Sequence, residues 1–400
     1  FFSNSADSLG GGVCCAGHEL TIKNLNCTNN TAVCGGGLAV IAEEADSSNI
    51  DMATSVFIGN AVSDLGGGLY IASGHGEFTA TGIEFLQNSA RIGGGVVVDM
   101  DWINYGGVLN PHFYNCLFYE NSATGAAAGI SSYHDDTWII NTTFSGNSGP
   151  STIQVWSEDF YLINSIIWDD DVPENSAIIG FEAIISYSLI QDCWIGSDES
   201  DLWNEDYGID GGNNLDEDPF FVNAAGGDLR LLDLSPAIDA GDSTVAGLPA
   251  VDIAGNPRIL GGTVDMGAYE GGIVALAVEV TITTDPEGLE FTVDGDTYES
   301  PYTRVSIAGA EIEIGTLSPQ RDKGTDYYFI RWSDGGDTTH VVTLPDSNVT
   351  YTAIFSDVLT GDEIEPVPLV NALHQNYPNP FNPSTTISFS LRAKGPVSIA

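Results

Sequence analysis

Acidic residues and histidines recur at one position of an internal repeat, six residues after the last small residue of each glycine-rich run. That position holds His18, Glu43, Gly74 beside His75, Asp101, and Asp135. If successive repeats stack about 4.8 Å apart, these side chains form a stripe. Carboxylate oxygens bind Ca²⁺, and histidine nitrogens bind transition metals. We therefore predict a metal site at Glu43, His75, Asp101 and Asp135, with Ca²⁺ as the candidate ion. The alternative is a solvated turn where a strand ends.

Aromatic residues lie beside this stripe in the sequence: Trp102, Tyr105, Tyr133 and Trp138. Their rings could stack on sugars, because an aromatic side chain offers an apolar face and, in Trp and Tyr, a polar group. The sequence contains no nucleophile triad, phosphate-binding loop or dinucleotide-binding fingerprint. We therefore predict no catalytic residue and consider glycan recognition instead.

The elements that must position these residues belong to a repeat of Phe, two residues and Asn. Its copies are Phe1/Asn4, Cys27/Asn30, Phe57/Asn60, Phe85/Asn88, Phe118/Asn121 and Phe144/Asn147. Glycine triplets at 10–12, 35–37, 66–68 and 93–95 each precede a short β-type run. Such units bury a face only by stacking on one another, which predicts one coil of a parallel β-helix per repeat. We expect the Phe rings to stack and each Asn to occupy a left-handed turn position that passes amide hydrogen bonds between coils. The glycines would supply backbone shapes that a Cβ forbids.

This repeat resembles that of right-handed parallel β-helix proteins of the pectin-lyase-like type, especially bacterial surface proteins with F-x-x-N-x-A and G-G-G motifs. The resemblance covers about residues 1–200 and implies an all-β fold, with a right-handed solenoid over residues 1–204. The chain begins inside a patterned segment, so we expect further coils upstream.

Enzymes of this fold use basic residues that this chain hardly provides. By resemblance, its lyases combine Ca²⁺ with an Arg or Lys base, and its hydrolases combine several Asp and His with cations that hold anionic sugars. Residues 1–200 contain only Lys23 and Arg91, far apart in the sequence. We therefore expect a non-catalytic protein for adhesion or for binding a glycan or matrix component. The alternative is a polysaccharide lyase or glycoside hydrolase.

Residues 205–271 resemble the closing segment of secreted bacterial β-helix proteins, in strings such as Ser235 to Gly241 and Val264 to Glu270. Because an open solenoid end exposes unpaired strand edges, we assign this segment a capping role. Arg258, Asp252 and Asp265 should form a structural ion-pair cluster.

Residues 277–356 alternate apolar and polar side chains between turns, which predicts a small antiparallel β-sandwich resembling immunoglobulin-like spacer modules of bacterial surfaces. Trp332 in this module could contact sugar, but a core position is the expected one.

Residues 357–370 form an acidic, proline-containing linker, and residues 371–400 resemble the start of a sorting domain read by the type IX secretion system. The string that carries this resemblance is Asn376, Tyr377, Pro378, Asn379, Pro380, Phe381, Asn382 and Pro383. The resemblance implies the secretion machinery as a partner and a location outside the cell or on its outer surface. We expect the rest of this domain to follow Ala400.

The composition fits that location, with 56 acidic and 10 basic side chains and a net charge of −46. Such a surface repels nucleic-acid phosphates and anionic lipids. No apolar run approaches the roughly 20 residues needed to span a bilayer as a helix. Cys14 or Cys15 could pair with Cys27 or Cys34 in an oxidising compartment, and buried free thiols are the alternative.

Overall fold

The computed structural model describes residues 1–42, 48–72, 76–99, 109–134, 136–156, 159–168, 171–173, 176–180, 182–195, 202–273, 277–357, 372–373 and 389–390. These residues form two compact units, residues 1–275 and residues 276–400. The first unit is a parallel β-helix, in agreement with the fold class predicted from the repeat.

Three parallel sheets of seven, eight and seven strands run along the β-helix, and a fourth sheet of four strands covers part of it. Each coil of the chain adds at most one strand to each sheet. Sheet 1 contains Val13–Gly17, Leu38–Ala42, Leu69–Ala72, Val96–Asp99, Ala127–Ser132, Ser151–Val155 and Ile178–Gly180. Sheet 2 contains Glu19–Lys23, Ser48–Ala53, Gly76–Thr81, Leu109–Tyr114, Thr137–Ile140, Phe160–Ile163, Ile184–Ser186 and Ile209–Gly212. Sheet 3 contains Asn26–Thr28, Val56–Ile58, Glu84–Leu86, Leu117–Tyr119, Thr143–Ser145, Ile166–Trp168 and Leu189–Ile190. Sheet 4 contains Thr31–Cys34, Ala61–Leu65, Ser89–Ala90 and Ser122–Ala123.

The core repeats as regularly as the sequence. Phe57, Phe85, Phe118 and Phe144 are fully buried and stack in a row, with ring centroids 5.2, 4.8 and 4.7 Å apart. This confirms the predicted phenylalanine stack. Offset stacking of this kind adds to the free energy gained by burying the rings.

A ladder of buried asparagine amides runs beside the stack, as predicted. The Nδ2 groups of Asn30, Asn60, Asn88 and Asn121 each donate to the Oδ1 of the next asparagine, at 2.9, 2.9, 3.0 and 3.0 Å. The expectation that these asparagines have a positive φ is wrong, because the residue before each one takes that conformation. The left-handed residues are Asn29, Gly59, Gln87, Glu120 and Gly146. They turn the chain so that the amide that follows points inward.

Residues 220–273, here named the return segment, lie along the outside of the β-helix. In three successive coils Asn115, Asn141 and Asn164 occupy the same turn, with φ near +50°. Their Nδ2 groups donate to carbonyl oxygens of the return segment, at Val251 (2.5 Å), Asp265 (2.9 Å) and Asp242 (3.0 Å). Of the predicted closing segment, Ile209–Gly212 thus extends sheet 2 at its end, whereas the return segment packs on the side.

Short elements complete the first unit. They are the antiparallel pair Trp194–Ile195 and Leu202–Trp203, the antiparallel pair Phe221–Asn223 and Asp228–Leu231, and the 3-10 helices Glu205–Tyr207 and Ala224–Gly226. The six cysteines are free thiols, and Cys27, Cys34, Cys116 and Cys193 are buried. Within the described part of the chain, no helix is long and apolar enough to cross a membrane.

The second unit contains two sheets around one apolar core. One sheet has the order Tyr302–Ile307, Ala277–Asp285, Val349–Ser356, Thr325–Trp332 and Gln320–Asp322. The other has the order Asp296–Glu299, Glu290–Val293, Glu311–Gly315 and Thr339–Thr343. The first and last strands of the module, Ala277–Asp285 and Val349–Ser356, are neighbours and run parallel to each other. Trp332 is fully buried in this core, as expected, and its Nε1 donates to the Thr338 carbonyl at 3.1 Å. Ala372–Leu373 pairs with Phe389–Ser390.

Candidate functional site

The residues of the predicted metal site, Glu43, His75, Asp101 and Asp135, lie outside the described residues. The sorting string at 376–383 and the aromatic residues Trp102 and Tyr105 lie outside them as well. Among the residues that the structure does describe, no group of three or more His, Cys, Asp or Glu could hold a metal ion. The metal site and its Ca²⁺ ion therefore stay predictions.

Five aromatic side chains lie at the end of sheet 1 or in the sheet-2 strands that follow, and we name them the aromatic ridge: His112, Tyr133, Trp138, Trp156 and Tyr161. They form two groups, the pair Tyr133 and Trp156 and the row His112, Trp138 and Tyr161. Trp138 pairs in register with His112 on one side and with Tyr161 on the other. Tyr133 and Trp156 follow sheet-1 strands of successive coils, and the Trp156 amide donates to the Ser132 carbonyl at 2.9 Å. Two residues of the ridge, Tyr133 and Trp138, are among those proposed from the sequence.

Strand alternation explains why these rings face outward. Trp138 lies between Thr137 and Ile139, and both of these are fully buried. Successive side chains of a strand point to opposite faces of the sheet, so the indole must lie on the outer face. The same alternation places Tyr161 outward, because its neighbours in the strand are buried. The sheet register then brings the outward rings of neighbouring coils together.

The three rings of the ridge on sheet 2 hold one another in place. Trp138 and Tyr161 stack with centroids 4.1 Å apart at an angle of 22°. His112 meets Trp138 edge-on at 6.4 Å, and the Trp138 Nε1 donates to the Asp136 carboxylate at 2.5 Å. These contacts order the side chains before any ligand arrives, which lowers the entropy that binding would cost.

Tyr133 and Trp156 present the more open part of the ridge. Their rings are parallel within 11°, yet their centroids are 6.5 Å apart. That separation exceeds the spacing of stacked strands, about 4.8 Å, so the rings are offset and overlap little. Trp156 is 47% exposed. Part of an indole face is therefore accessible to a ligand.

Carboxylates flank the ridge on sheet 2. Glu77 accepts a hydrogen bond from the Asn110 Nδ2 at 3.2 Å and lies 3.8 Å from the His112 Nδ1. The pKa of the Tyr114 phenol is raised, first by burial and then by the negative charges of Glu77 and Asp136. The ridge thus combines aromatic surface with hydrogen-bond acceptors.

The two basic residues of the coils lie elsewhere and are already paired. The Lys23 Nζ is 3.6 Å from the Asp51 carboxylate, and the Arg91 Nη2 is 2.5 Å from that of Asp64. Each pair links neighbouring coils through exposed side chains. Within the described residues of the coils, neither cation joins a group of converging carboxylates.

A buried ionic cluster lies within the return segment. The Arg258 Nη groups donate to the carbonyls of Ala268 (3.1 Å) and Asp265 (2.9 Å). The Arg258 Nε lies 3.6 Å from the Glu270 carboxylate. Burial raises the pKa of Glu270 to about 7 and lowers that of Arg258 to about 10.

This cluster holds loops of the return segment together through the carboxylates of Asp252 and Asp265, as follows. The Asp252 carboxylate accepts from the amides of Asn256 (2.7 Å) and Glu270 (2.9 Å). The Asp265 carboxylate accepts from the amides of Asp239 (2.7 Å) and Gly271 (2.6 Å). The carboxylate closest to the guanidinium, however, belongs to Glu270, which was not predicted.

His112, Trp156 and Tyr161 were not predicted to belong to the site, and for Trp156 and Tyr161 the reason lies in how the repeats were aligned. Alignment on the glycine triplets ends one coil before them, because their coil contains no such run. Continuing the alignment by strand length would have placed Trp156 one coil beyond Tyr133, and Tyr161 one coil beyond Trp138. That signal was available in the sequence.

Comparison with known proteins gives no family assignment. No protein-family model matches the chain, and no curated protein matches it. The function must therefore be inferred from the residues of the chain and their geometry.

Proposed function

We propose that this chain is a secreted or cell-surface β-helix protein, non-catalytic, that mediates adhesion by binding a glycan or another matrix component. The observation that carries the proposal is the ordered aromatic ridge, in particular the partly exposed Trp156 beside Tyr133. The resemblance of the repeat to pectin-lyase-like surface proteins agrees with this function.

The chemistry of the ridge suits a sugar ring. The apolar face of a pyranose can pack on the accessible part of the Trp156 indole, and this contact needs no charge. The Asp136 and Glu77 carboxylates can accept hydrogen bonds from sugar hydroxyls, and bonds to a charged acceptor are the stronger kind. Since the chain carries a net charge of −46, a neutral glycan is favoured over one rich in uronate or sulfate.

Replacing Trp156 with alanine is expected to weaken binding to a neutral polysaccharide at least tenfold, because the most accessible ring of the ridge is lost. The fold should persist, since this side chain is half exposed. Affinity electrophoresis of the purified protein in gels containing soluble neutral or acidic polysaccharides measures the change.

Phe2→Ala is the matched control, because it removes another exposed aromatic ring, 67% accessible, from outside the ridge. It should bind like the unchanged protein. If the Trp156→Ala variant bound the polysaccharide as tightly as the unchanged protein, the aromatic ridge would not be the glycan-binding site. Release of reducing or unsaturated ends from any of the polysaccharides would favour the alternative, a lyase or hydrolase.

We also propose that residues 371–400 direct the protein through the type IX secretion system to the cell surface or the medium. Support comes from the Asn376-to-Pro383 string. Removing everything from Asn371 onward in the full-length protein should abolish delivery, measured by cell fractionation in a host with this system. Deleting only the linker 357–370 is the control and should leave delivery intact. Export of the tail-less protein would refute the assignment.

A further inference from the structure

A pocket of about 900 Å³ lies at the end of the β-helix, where the last strands of sheets 1 and 2 finish. Gly180 and Ile209, from those two strands, form one side of it. The strand Leu202–Trp203 and the 3-10 helix Glu205–Tyr207 form the other. Its volume falls within the range of small-ligand and side-chain sites.

Steric fit and hydrogen bonds fix the conformation of the residues around the pocket. Gly208 has a φ of +126°, and a Cβ there would lie 2.5 Å from the Ala183 carbonyl oxygen, so only glycine fits. The Trp203 Nε1 donates to the Gly208 carbonyl at 2.8 Å. Tyr207 is buried, and its hydroxyl donates to the Gln191 carbonyl at 3.2 Å. The pocket is therefore present before a ligand binds.

Apolar side chains in the pocket are left open to solvent. Leu202 is 71% exposed and Ile209 is 49% exposed. Trp203 lies beside them, held edge-on against Trp194 at 5.7 Å. Apolar surface in a concavity gains free energy when a ligand covers it.

Four carboxylates surround this apolar surface, and three of them have no partner among the described residues. The side chains of Glu182, Glu205 and Asp206 are exposed and form no hydrogen bond or ion pair within the described part of the chain. A fourth, Asp210, is held in place by the Gly212 amide and the Asn214 Nδ2, both at 2.8 Å. The pocket thus has one sign of charge.

No basic side chain among residues 1–275 is available to neutralise the carboxylates of the pocket. Residues 1–275 contain only four Lys or Arg, namely Lys23, Arg91, Arg230 and Arg258. Each is engaged with a carboxylate outside the pocket, at Asp51, Asp64, Asp228 and Glu270 respectively. A cation for the pocket must therefore come from outside residues 1–275.

We propose that this pocket binds a basic, apolar-flanked segment of a partner protein. An Arg or Lys side chain packs on Trp203 and pairs with the carboxylates of Glu182 and Glu205, while its apolar neighbours cover Leu202 and Ile209. Cations bind the faces of Trp favourably, and guanidinium groups form paired hydrogen bonds with carboxylates. This ligand class goes beyond the proposed glycan site, which lies on earlier coils.

The test is titration of the full chain with a labelled peptide, acetyl-Leu-Arg-Leu-Arg-amide, in 150 mM NaCl, where distant surface charges are largely screened. Glu182→Gln with Glu205→Gln should weaken binding at least tenfold. Leu202→Ala should weaken it about threefold. The Trp156→Ala variant should bind the peptide normally, which separates this site from the aromatic ridge.

The matched control is Glu290→Gln with Glu311→Gln, which removes the same charge from exposed positions of the second unit. It should change the affinity less than twofold. Equal weakening by the control and the pocket variant would overturn the proposal, because binding would then follow net charge alone. It would also be overturned if the peptide did not bind, or if the pocket variant lost neutral-glycan binding and kept peptide binding.

Discussion

Replacing Asn88 with alanine is expected to lower the free energy of unfolding of the β-helix by about 4 kcal/mol. The Asn88 Oδ1 accepts the backbone amide and the side-chain amide of Asn60, at 3.0 and 2.9 Å. The Asn88 Nδ2 donates to the Phe57 carbonyl at 2.9 Å. Alanine removes these partners inside a fully buried region, where water cannot replace them. Urea denaturation followed by circular dichroism measures the loss.

Asn26→Ala provides the control for this prediction. Asn26 is exposed in sheet 3, and its side chain accepts only a surface hydrogen bond from the Thr28 Oγ1, at 2.8 Å. Its loss should change stability by less than about 0.5 kcal/mol. If Asn88→Ala were equally mild, the asparagine ladder would not be a source of stability.

The asparagine ladder and the phenylalanine stack were predictable because residues one repeat apart in the sequence become neighbours in a stacked solenoid. Asn60 and Asn88 are 28 residues apart, yet each coil places its asparagine at the same position around the β-helix, next to that of the neighbouring coil. The left-handed residue was misplaced by one position, because the sequence shows which residue repeats but not which backbone angle lets it face inward. Gln87 and Glu120 occupy that angle without being residues that favour it.

Contacts that do not repeat from one coil to the next could not be predicted from the sequence. The Asn115 Nδ2 donates to the carbonyl oxygen of Val251, which lies 136 residues later in the chain. No local sequence pattern predicts that the return segment lies beside that coil. The same holds for Glu270 as the carboxylate nearest Arg258. The pocket depends on the placement of Leu202 and Trp203 after the last complete coil, where repetition ends. Sequence reasoning therefore located part of the aromatic ridge and missed the pocket.

Gly67→Ala is expected to destabilise the β-helix by about 3 kcal/mol or more, through overpacking between coils. A Cβ at Gly67 would lie 2.8 Å from both the amide nitrogen and the carbonyl oxygen of Ser89, and closer still to the Gly94 carbonyl oxygen. All three atoms are backbone and belong to the next coil, so relief requires separating hydrogen-bonded coils. The φ of Gly67 is not positive, so the cost comes from contact and not from backbone conformation.

Gly82→Asn tests the second reason for a glycine in this fold, a positive φ at a position with no crowding around the Cβ. Gly82 has a φ of +62°, and nothing lies within 4 Å of the position its Cβ would take. Asparagine tolerates the left-handed region, so this variant should lose no more than about 1 kcal/mol. Thermal and urea denaturation of both variants compare the two effects directly. If Gly82→Asn cost as much as Gly67→Ala, the close approach of coils would not be what makes Gly67 sensitive to substitution. A large difference in the expected direction means that the middle glycine of each triplet is required by the close approach of neighbouring coils, since a Cβ at Gly11, Gly36, Gly67 or Gly94 would meet backbone atoms of the next coil.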